Sequence, residues 1–179
     1  MNSQELRLAT YQMAAKYGAF MGLFLIVRYM AETLSHTYGA LAWLYLLLTV
    51  AVPFVAYKLA RVYKAHLNNP DMGFGDYYRF TFYLFFFSSI ILTFVQYIYY
   101  RYISPEYIDN LFQYLMSSAD VLIANNSPYS AALTEYKELI AQQPKPTAFD
   151  MAIPTIWIYL IVGVVLGLLN ASILNRQKN

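Results

Sequence analysis

The chain has no cysteine, and charged residues make up only 12% of its 179 positions. The absence of cysteine excludes a disulfide framework, a thiolate nucleophile and thiolate metal sites. Because soluble domains carry roughly 25% charged residues, the scarcity of charge excludes an ordinary water-soluble domain as well as a disordered tail. A formal net charge of +2 is too small for a nucleic-acid-binding surface. The class that remains is the integral membrane proteins.

Apolar residues are abundant instead, since 59% of the chain is hydrophobic and 18% is aromatic. A window of about 19 residues, long enough for a helix to cross the hydrocarbon core, finds four apolar stretches. Their continuous apolar runs are typical of helices and unlike the alternating pattern of barrel strands. We therefore predict one all-α integral membrane domain over 1–179, with four transmembrane helices at about 17–34, 40–60, 77–102 and 151–174.

Lysine and arginine collect at one side of this four-span arrangement. They occur in the N-terminal segment, around the connection between the second and third spans, and in the C-terminal tail. Short cytoplasmic connections carry an excess of these residues, so both termini of the multi-pass chain are predicted to be cytoplasmic. Eight cations support this orientation: Arg7, Lys16, Lys58, Arg61, Lys64, Arg79, Arg176 and Lys178.

The opposite connection, 103–150, is much longer than the roughly two to eight residues usual between bundle helices. Apolar residues at helical spacing after Pro105 predict an amphipathic helix, and a second helix is predicted over 130–142. The first helix either has a structural role, in which it lies against the outer leaflet or caps the bundle, or it docks a partner protein. The residues predicted to contact such a partner are Ile108, Leu111, Phe112 and Leu115.

The most specific polar feature lies in the first span, where Arg28, Glu32 and His36 are spaced by four and share one face of a helix. One interpretation is an ion pair of Arg28 with Glu32 that neutralises itself near the interface. The other is a ligand site for an anionic group, completed by Gln96 and Arg101 from the end of the third span. Two potential ligands do not make a metal site, so no metal is predicted.

Two stripes of small residues recur every four positions, the spacing at which membrane helices approach closely. We predict that the stripes contact each other inside one bundle. The alternative is an interface with a second copy or with another membrane protein. The stripes are Ala14, Gly18 and Gly22 in the first span, and Gly163, Gly167 and Ala171 in the fourth.

No motif for known catalysis is present. The sequence has no nucleophile–His–Asp order, no P-loop, no dinucleotide fingerprint and no zinc-protease motif. We therefore predict no catalytic residue and no cofactor. An acid–base enzyme that uses Glu32 or His36 is the least favoured hypothesis, because no activated nucleophile accompanies these groups.

Three short runs resemble an uncharacterised family of small bacterial inner-membrane proteins, catalogued as a domain of unknown function. The resemblance implies a bacterial inner-membrane location but no activity and no catalytic residues. It also implies a link to polyprenyl-phosphate-type glycosyltransferases, beside which members are often encoded. The runs are Ala15-Lys16-Tyr17-Gly18, Met72-Gly73-Phe74-Gly75-Asp76-Tyr77-Tyr78 and Tyr102-Ile103-Ser104-Pro105-Glu106-Tyr107.

Two functions follow from these observations. The first is a non-enzymatic membrane subunit that binds or positions a membrane enzyme, such as a lipid-linked-sugar glycosyltransferase. The second is a binder or transporter of a small anionic or lipidic ligand, through an outward-facing cavity at Arg28 and Glu32.

Overall fold

The computed structural model describes residues 3–35, 38–70, 72–124, 130–142 and 144–177. The described residues form helices and connecting turns, with no strand among them. The all-α class is therefore confirmed. The helices are α1 (Ser3–Ser35), α2 (Ala40–Leu67), α3 (Phe74–Ile98), a π-helical turn (Tyr99–Ile103), α4 (Glu106–Ala124), α5 (Ser130–Gln142), α6 (Ala148–Ala152) and α7 (Pro154–Arg176).

Three helical stretches in the described part of the chain are long and apolar enough to cross a membrane, namely Ala40–Leu67, Phe74–Ile103 and Ala148–Arg176. The membrane character of the chain is thereby supported. The first predicted span lies in α1, which is not among the three because Lys16, Arg28 and Glu32 interrupt its apolar residues. The count of four spans stays a prediction.

The chain divides into two compact units, Met1–Val95 with Pro154–Asn179, and Gln96–Ile153. In the first unit, contacts near the ends of α1, α2 and α7 define their directions. Arg28 of α1 contacts both Tyr45 of α2 and Tyr159 of α7. At the other end of α2, Lys64 donates to the carbonyl oxygen of Leu174 in α7, at 3.0 Å. Helices α2 and α7 therefore run in the same direction.

Helix α1 runs antiparallel to α2, and the far end of this pair is fastened by a buried polar contact. The Thr10 hydroxyl lies 2.7 Å from the Tyr63 hydroxyl and donates to the Leu6 carbonyl oxygen, also at 2.7 Å. The Tyr63 ring stacks on Phe80 of α3 with centroids 4.2 Å apart. Both hydroxyls are thus satisfied without water, which a buried polar group requires.

The two small-residue stripes both face α3 at their glycines. A Cβ atom on Gly18 would lie 2.7 Å from the Phe87 Cβ, and one on Gly163 would lie 2.9 Å from the Phe85 Cβ. Gly22 and Gly167 face Ile91 and Tyr78 in the same way, while Ala14 and Ala171 are fully buried. The predicted direct contact between the stripes is wrong at these glycines. The side chains of α3 that occupy the space left open by the glycines are Tyr78, Phe85, Phe87 and Ile91.

Helix α3 is also the most buried of the three membrane-span candidates. Within the most apolar window of each, 44% of the residues are buried for Phe74–Ile103, against 11% for Ala40–Leu67 and 22% for Ala148–Arg176. A helix that is apolar on all sides can be covered by protein, by lipid or by both. Here α3 is the helix against which α1 and α7 pack.

The second unit contains the two helices that the sequence predicts for 103–150. Helix α4 begins directly after Pro105, and α5 occupies the predicted 130–142. They pack against each other and are linked by an ion pair between Lys137 and Asp120. Thr147 caps α6 through a reciprocal capping box with Asp150. Whether this unit is extracytoplasmic, and whether 1–179 is one domain, stay predictions.

Candidate functional site: an arginine at the end of an apolar groove

Arg28 is the centre of a polar cluster that joins three helices. Its Nε donates to the Thr49 Oγ1 at 2.9 Å, and its Nη2 donates to the Tyr45 hydroxyl at 3.0 Å. Its Nη1 donates to the Tyr159 hydroxyl at 3.1 Å. The guanidinium also lies over the Tyr45 ring, 4.8 Å from the centroid. One charged side chain of α1 is thus held by α2 and α7 together.

The predicted pair with Glu32 is present but is the weakest of these contacts. The Glu32 Oε2 lies 3.8 Å from the Arg28 Nη1, beyond hydrogen-bonding distance. The Arg28 side chain is 16% exposed, whereas the Glu32 side chain is 41% exposed. Neutral hydroxyl groups therefore replace most of the water around the guanidinium, and Glu32 supplies a partly solvated counter-charge.

Local structure explains how the acceptors are placed. Tyr45 and Thr49 are one turn apart on α2, so they share a face, and the Thr49 hydroxyl donates back to the Tyr45 carbonyl oxygen at 2.8 Å. Since that bond uses its hydrogen, the Thr49 oxygen is free to accept from Arg28. Tyr159 is positioned by stacking on Phe85 of α3, with centroids 6.3 Å apart and planes 13° apart.

A groove of about 430 Å³ opens between α2 and α7 beside this cluster. Arg28, Thr49 and Tyr159 line its polar end. The rest of the lining is apolar and consists of Val52, Pro53, Ile158, Ile161, Val162, Val165 and Leu166. A single cation at one end of an apolar groove matches an amphiphile, which has a charged head and a hydrocarbon chain.

Pro53 contributes to the groove through the backbone of α2. Proline has no N–H, so the carbonyl group four residues earlier loses its helical hydrogen-bond donor. That carbonyl belongs to Thr49, and both residues line the groove. Helix α2 continues through Pro53, so the change is confined to one missing helical hydrogen bond close to the residues that hold the guanidinium.

Three further residues were predicted to contribute to this site. His36 is outside the described residues. Gln96 and Arg101 belong to the second compact unit, at the end of α3 and in the π-helical turn respectively. Within the described part of the chain, no group of three His, Asp or Glu side chains is arranged to hold a metal ion.

Sequence reasoning missed Tyr45, Thr49 and Tyr159. A usable signal exists for the first two, since Arg28 precedes the turn between α1 and α2 by about the same number of residues as Tyr45 and Thr49 follow it. In an antiparallel pair of helices, such positions lie at the same depth. The contribution of Tyr159 depends on the packing of α7 and has no comparable signal.

The fold and this cluster define an all-helical membrane protein with a partly buried arginine between three helices. Residues 16–176 match the family described as "Protein of unknown function (DUF4199)". Because the match covers most of the chain, the protein belongs to that family, which confirms the resemblance to a domain of unknown function. No curated protein and no solved structure matches the chain.

Proposed function

We propose that the protein binds an anionic amphiphile in the groove between α2 and α7, with the head group at Arg28. The observation that carries the proposal is the position of the guanidinium at the polar end of an otherwise apolar groove. Three of the five N–H donors of an arginine are used by Thr49, Tyr45 and Tyr159. Two N–H groups therefore donate to none of the described residues and are available to an anion.

The depth of the cluster suits a lipid head group. Trp43 and Trp157 are 77% and 66% exposed near the starts of α2 and α7. Tryptophan favours the membrane interface, where its ring is shielded and its N–H stays hydrated. Trp157 precedes Tyr159 by two residues, or about 3 Å along a helix. Arg28 accordingly lies close to the level at which head groups are found.

We predict that a larger side chain at one position of the groove abolishes this binding. Val165 and Leu169 are one turn apart on α7 and are both 52% exposed, but only Val165 lines the groove. Val165→Trp should fill the groove and lower the retention of phosphatidylglycerol at least about tenfold, since a buried chain contributes about 0.8 kcal/mol per methylene. Leu169→Trp should leave retention unchanged. Native mass spectrometry of the protein in mild detergent measures the bound lipid.

Phosphatidylcholine with the same acyl chains is the control for charge. The wild-type protein should retain phosphatidylglycerol in preference to phosphatidylcholine, because only the former has net negative charge for Arg28. Equal retention of both lipids, or equal retention by the two tryptophan variants, would contradict the proposal.

We further propose that α1 is the fourth membrane span, with both termini in the cytoplasm of a bacterial cell. Support comes from a stripe of large apolar side chains on α1, each at least 47% exposed in the first unit: Phe20, Leu23, Val27, Met30 and Leu34. Such a stripe is typical of a lipid-facing surface. It covers about 21 Å of helix, and the charged Arg28 lies on another face.

Single cysteines test this topology directly, because the chain has no cysteine of its own. With a membrane-impermeant maleimide applied to intact cells, Glu135→Cys in α5 should be labelled and Gln177→Cys should be protected. Permeabilised cells should label both. Labelling of Gln177→Cys in intact cells would place the C-terminus outside and overturn the orientation.

The second candidate function is a non-enzymatic subunit that positions a membrane enzyme, and the surface of α4 favours it. Of the four residues predicted to contact a partner, only Leu115 is exposed, at 55%, whereas Ile108, Leu111 and Phe112 are partly buried. The free apolar face instead combines Leu115 with Tyr114, Val121 and Leu122. On the described part of α4, this face is available to a partner, whether another membrane protein or a second copy.

If the subunit hypothesis is correct, a membrane enzyme copurifies in stoichiometric amount from native membranes. Val121→Ser combined with Tyr114→Ser should abolish copurification, because it removes apolar area from the free face of α4. Ile108→Ser is the comparison, since that side chain is partly buried. Retention of the enzyme by the double variant would exclude this face as the contact.

A further inference from the structure

The junction after α3 contains a π-helical turn, an uncommon element that is found frequently at functional sites. The Ser104 N–H donates to the Tyr99 carbonyl oxygen at 2.9 Å, five residues apart, which defines the turn. Behind it, the Tyr100 ring stacks on Tyr107 with centroids 5.4 Å apart and planes 29° apart. The turn therefore presents a tyrosine wall beside the side chain of Arg101.

A cavity of about 280 Å³ lies against this wall, entirely within the second unit. Its chemistry is set by Tyr100, Arg101, Asp109 and Lys145, and it also includes Ile108 and Thr147. Its size is just below the range for small-molecule sites, about 300 to 1,000 Å³. A small group fits it, and a large ligand does not.

The charges in this cavity are unequal. The Lys145 Nζ donates to the Asp109 Oδ1 at 2.6 Å, so these two charges compensate each other. The Arg101 side chain forms no hydrogen bond and no ion pair with any residue that the structure describes. Among the residues that line the cavity, two cations face one carboxylate, and the Asp150 carboxylate behind Thr147 is engaged in its capping box.

We propose that this cavity binds a phosphate group, held by Arg101 with Lys145 at its side and with the organic part of the ligand on the Tyr100 ring. A guanidinium matches the geometry of a phosphate, with two parallel N–H donors for two oxygen atoms. The remaining phosphate oxygens can accept from Lys145, which has N–H donors beyond the one used by Asp109. None of the residues that line this cavity also lines the groove at Arg28.

The test uses the full chain in uncharged detergent, with phenyl phosphate as a soluble probe and isothermal titration calorimetry as the readout. The groove variant Val165→Trp serves as the background, so that the site at Arg28 does not contribute. Binding should be saturable with one phosphate per chain. Arg101→Gln should weaken it about tenfold or more, as expected for the loss of a hydrogen-bonded charge.

Arg61→Gln is the matched control. Arg61 is also an exposed arginine without an ion pair in the described part of the chain, and its loss changes the net charge equally. It should leave binding unchanged, whereas Asp109→Asn should tighten binding several-fold by removing the one carboxylate. Wild-type affinity in Arg101→Gln, or an equal loss in Arg61→Gln, would overturn the proposal.

A second arm distinguishes a soluble phosphate ester from a lipid head group. Phosphatidic acid is presented in nanodiscs of phosphatidylcholine, and its retention is compared between the same variants. Binding of phenyl phosphate that depends on Arg101 identifies a soluble ester as a sufficient ligand. Retention of phosphatidic acid alone, again dependent on Arg101, identifies the lipid head group. The absence of Arg101-dependent binding in both arms rejects the site.

Discussion

Replacing Gly18 by alanine is expected to destabilise the helices of the first unit, whereas the same replacement at Gly75 is expected to stabilise them. In a helix, alanine is favoured over glycine by roughly 0.5 to 1 kcal/mol. At Gly75 a Cβ atom would meet nothing within 4 Å, and because this residue is the second of α3 we expect a gain at the lower end of that range. At Gly18 the added carbon would lie 2.7 Å from the Phe87 Cβ and 3.2 Å from the Leu84 carbonyl oxygen.

The neighbours of Gly18 cannot yield cheaply, since one is a backbone atom and the other is bonded directly to the backbone. Overpacking of this kind costs about 1 to 3 kcal/mol, which outweighs the gain in helix propensity. Unfolding in mixed micelles of a mild detergent and sodium dodecyl sulfate measures both variants. A Gly18→Ala protein as stable as Gly75→Ala would show that α1 does not approach α3 as closely as described.

Loss of the Arg28 side chain is expected to have the second large effect, and loss of Glu32 almost none. Arg28→Ala removes three hydrogen bonds that tie α1 to α2 and α7. Hydrogen bonds between membrane helices contribute about 0.6 kcal/mol on average, and those of charged groups about 1.5 to 3 kcal/mol. The free energy of unfolding should therefore fall by about 2 to 4 kcal/mol.

Glu32→Ala should change that free energy by less than about 0.5 kcal/mol, because the pair is 3.8 Å apart and the carboxylate is 41% exposed. The same micellar unfolding assay compares the two variants. Arg28→Lys separates charge from geometry, since lysine keeps the charge but lacks the planar fork that reaches three acceptors. An equal decrease in the free energy of unfolding for Arg28→Ala and Glu32→Ala would indicate that Arg28 stabilises the protein mainly through its intrahelical ion pair.

The helical class, the two helices of 103–150 and the apolar spans after residue 40 all follow from local pattern. Pro105 and the spacing from Ile108 onward were sufficient to predict α4. The apolar residues of an amphipathic helix recur every three or four positions, and this period is visible in the sequence. The local pattern identifies the first predicted span less clearly. Arg28 and Glu32 lower the apolarity of α1, and only the exposed stripe from Phe20 to Leu34 supports a membrane-facing surface.

The glycine stripes show the limit of what local sequence pattern can predict. Their spacing predicts a close approach of two helices, and the approach exists, but the spacing does not identify the partner. Helix α3 takes that place for both stripes because Phe85, Phe87 and Tyr78 fill the grooves that the glycines leave. The sequence of α3 has no motif that predicts packing against both stripes, since its aromatic residues are equally consistent with an interfacial belt.

By itself the sequence determined that this chain is an all-helical membrane protein with two charged residues inside an apolar run. It identified Arg28 and Glu32, because charge in an apolar run is costly wherever the run is placed. Only the tertiary structure decided that the arginine is held mainly by Tyr45, Thr49 and Tyr159, and that an apolar groove begins beside it. The reason is physical: the cost of a charge depends on one residue, whereas its solvation depends on three helices that meet from distant parts of the chain.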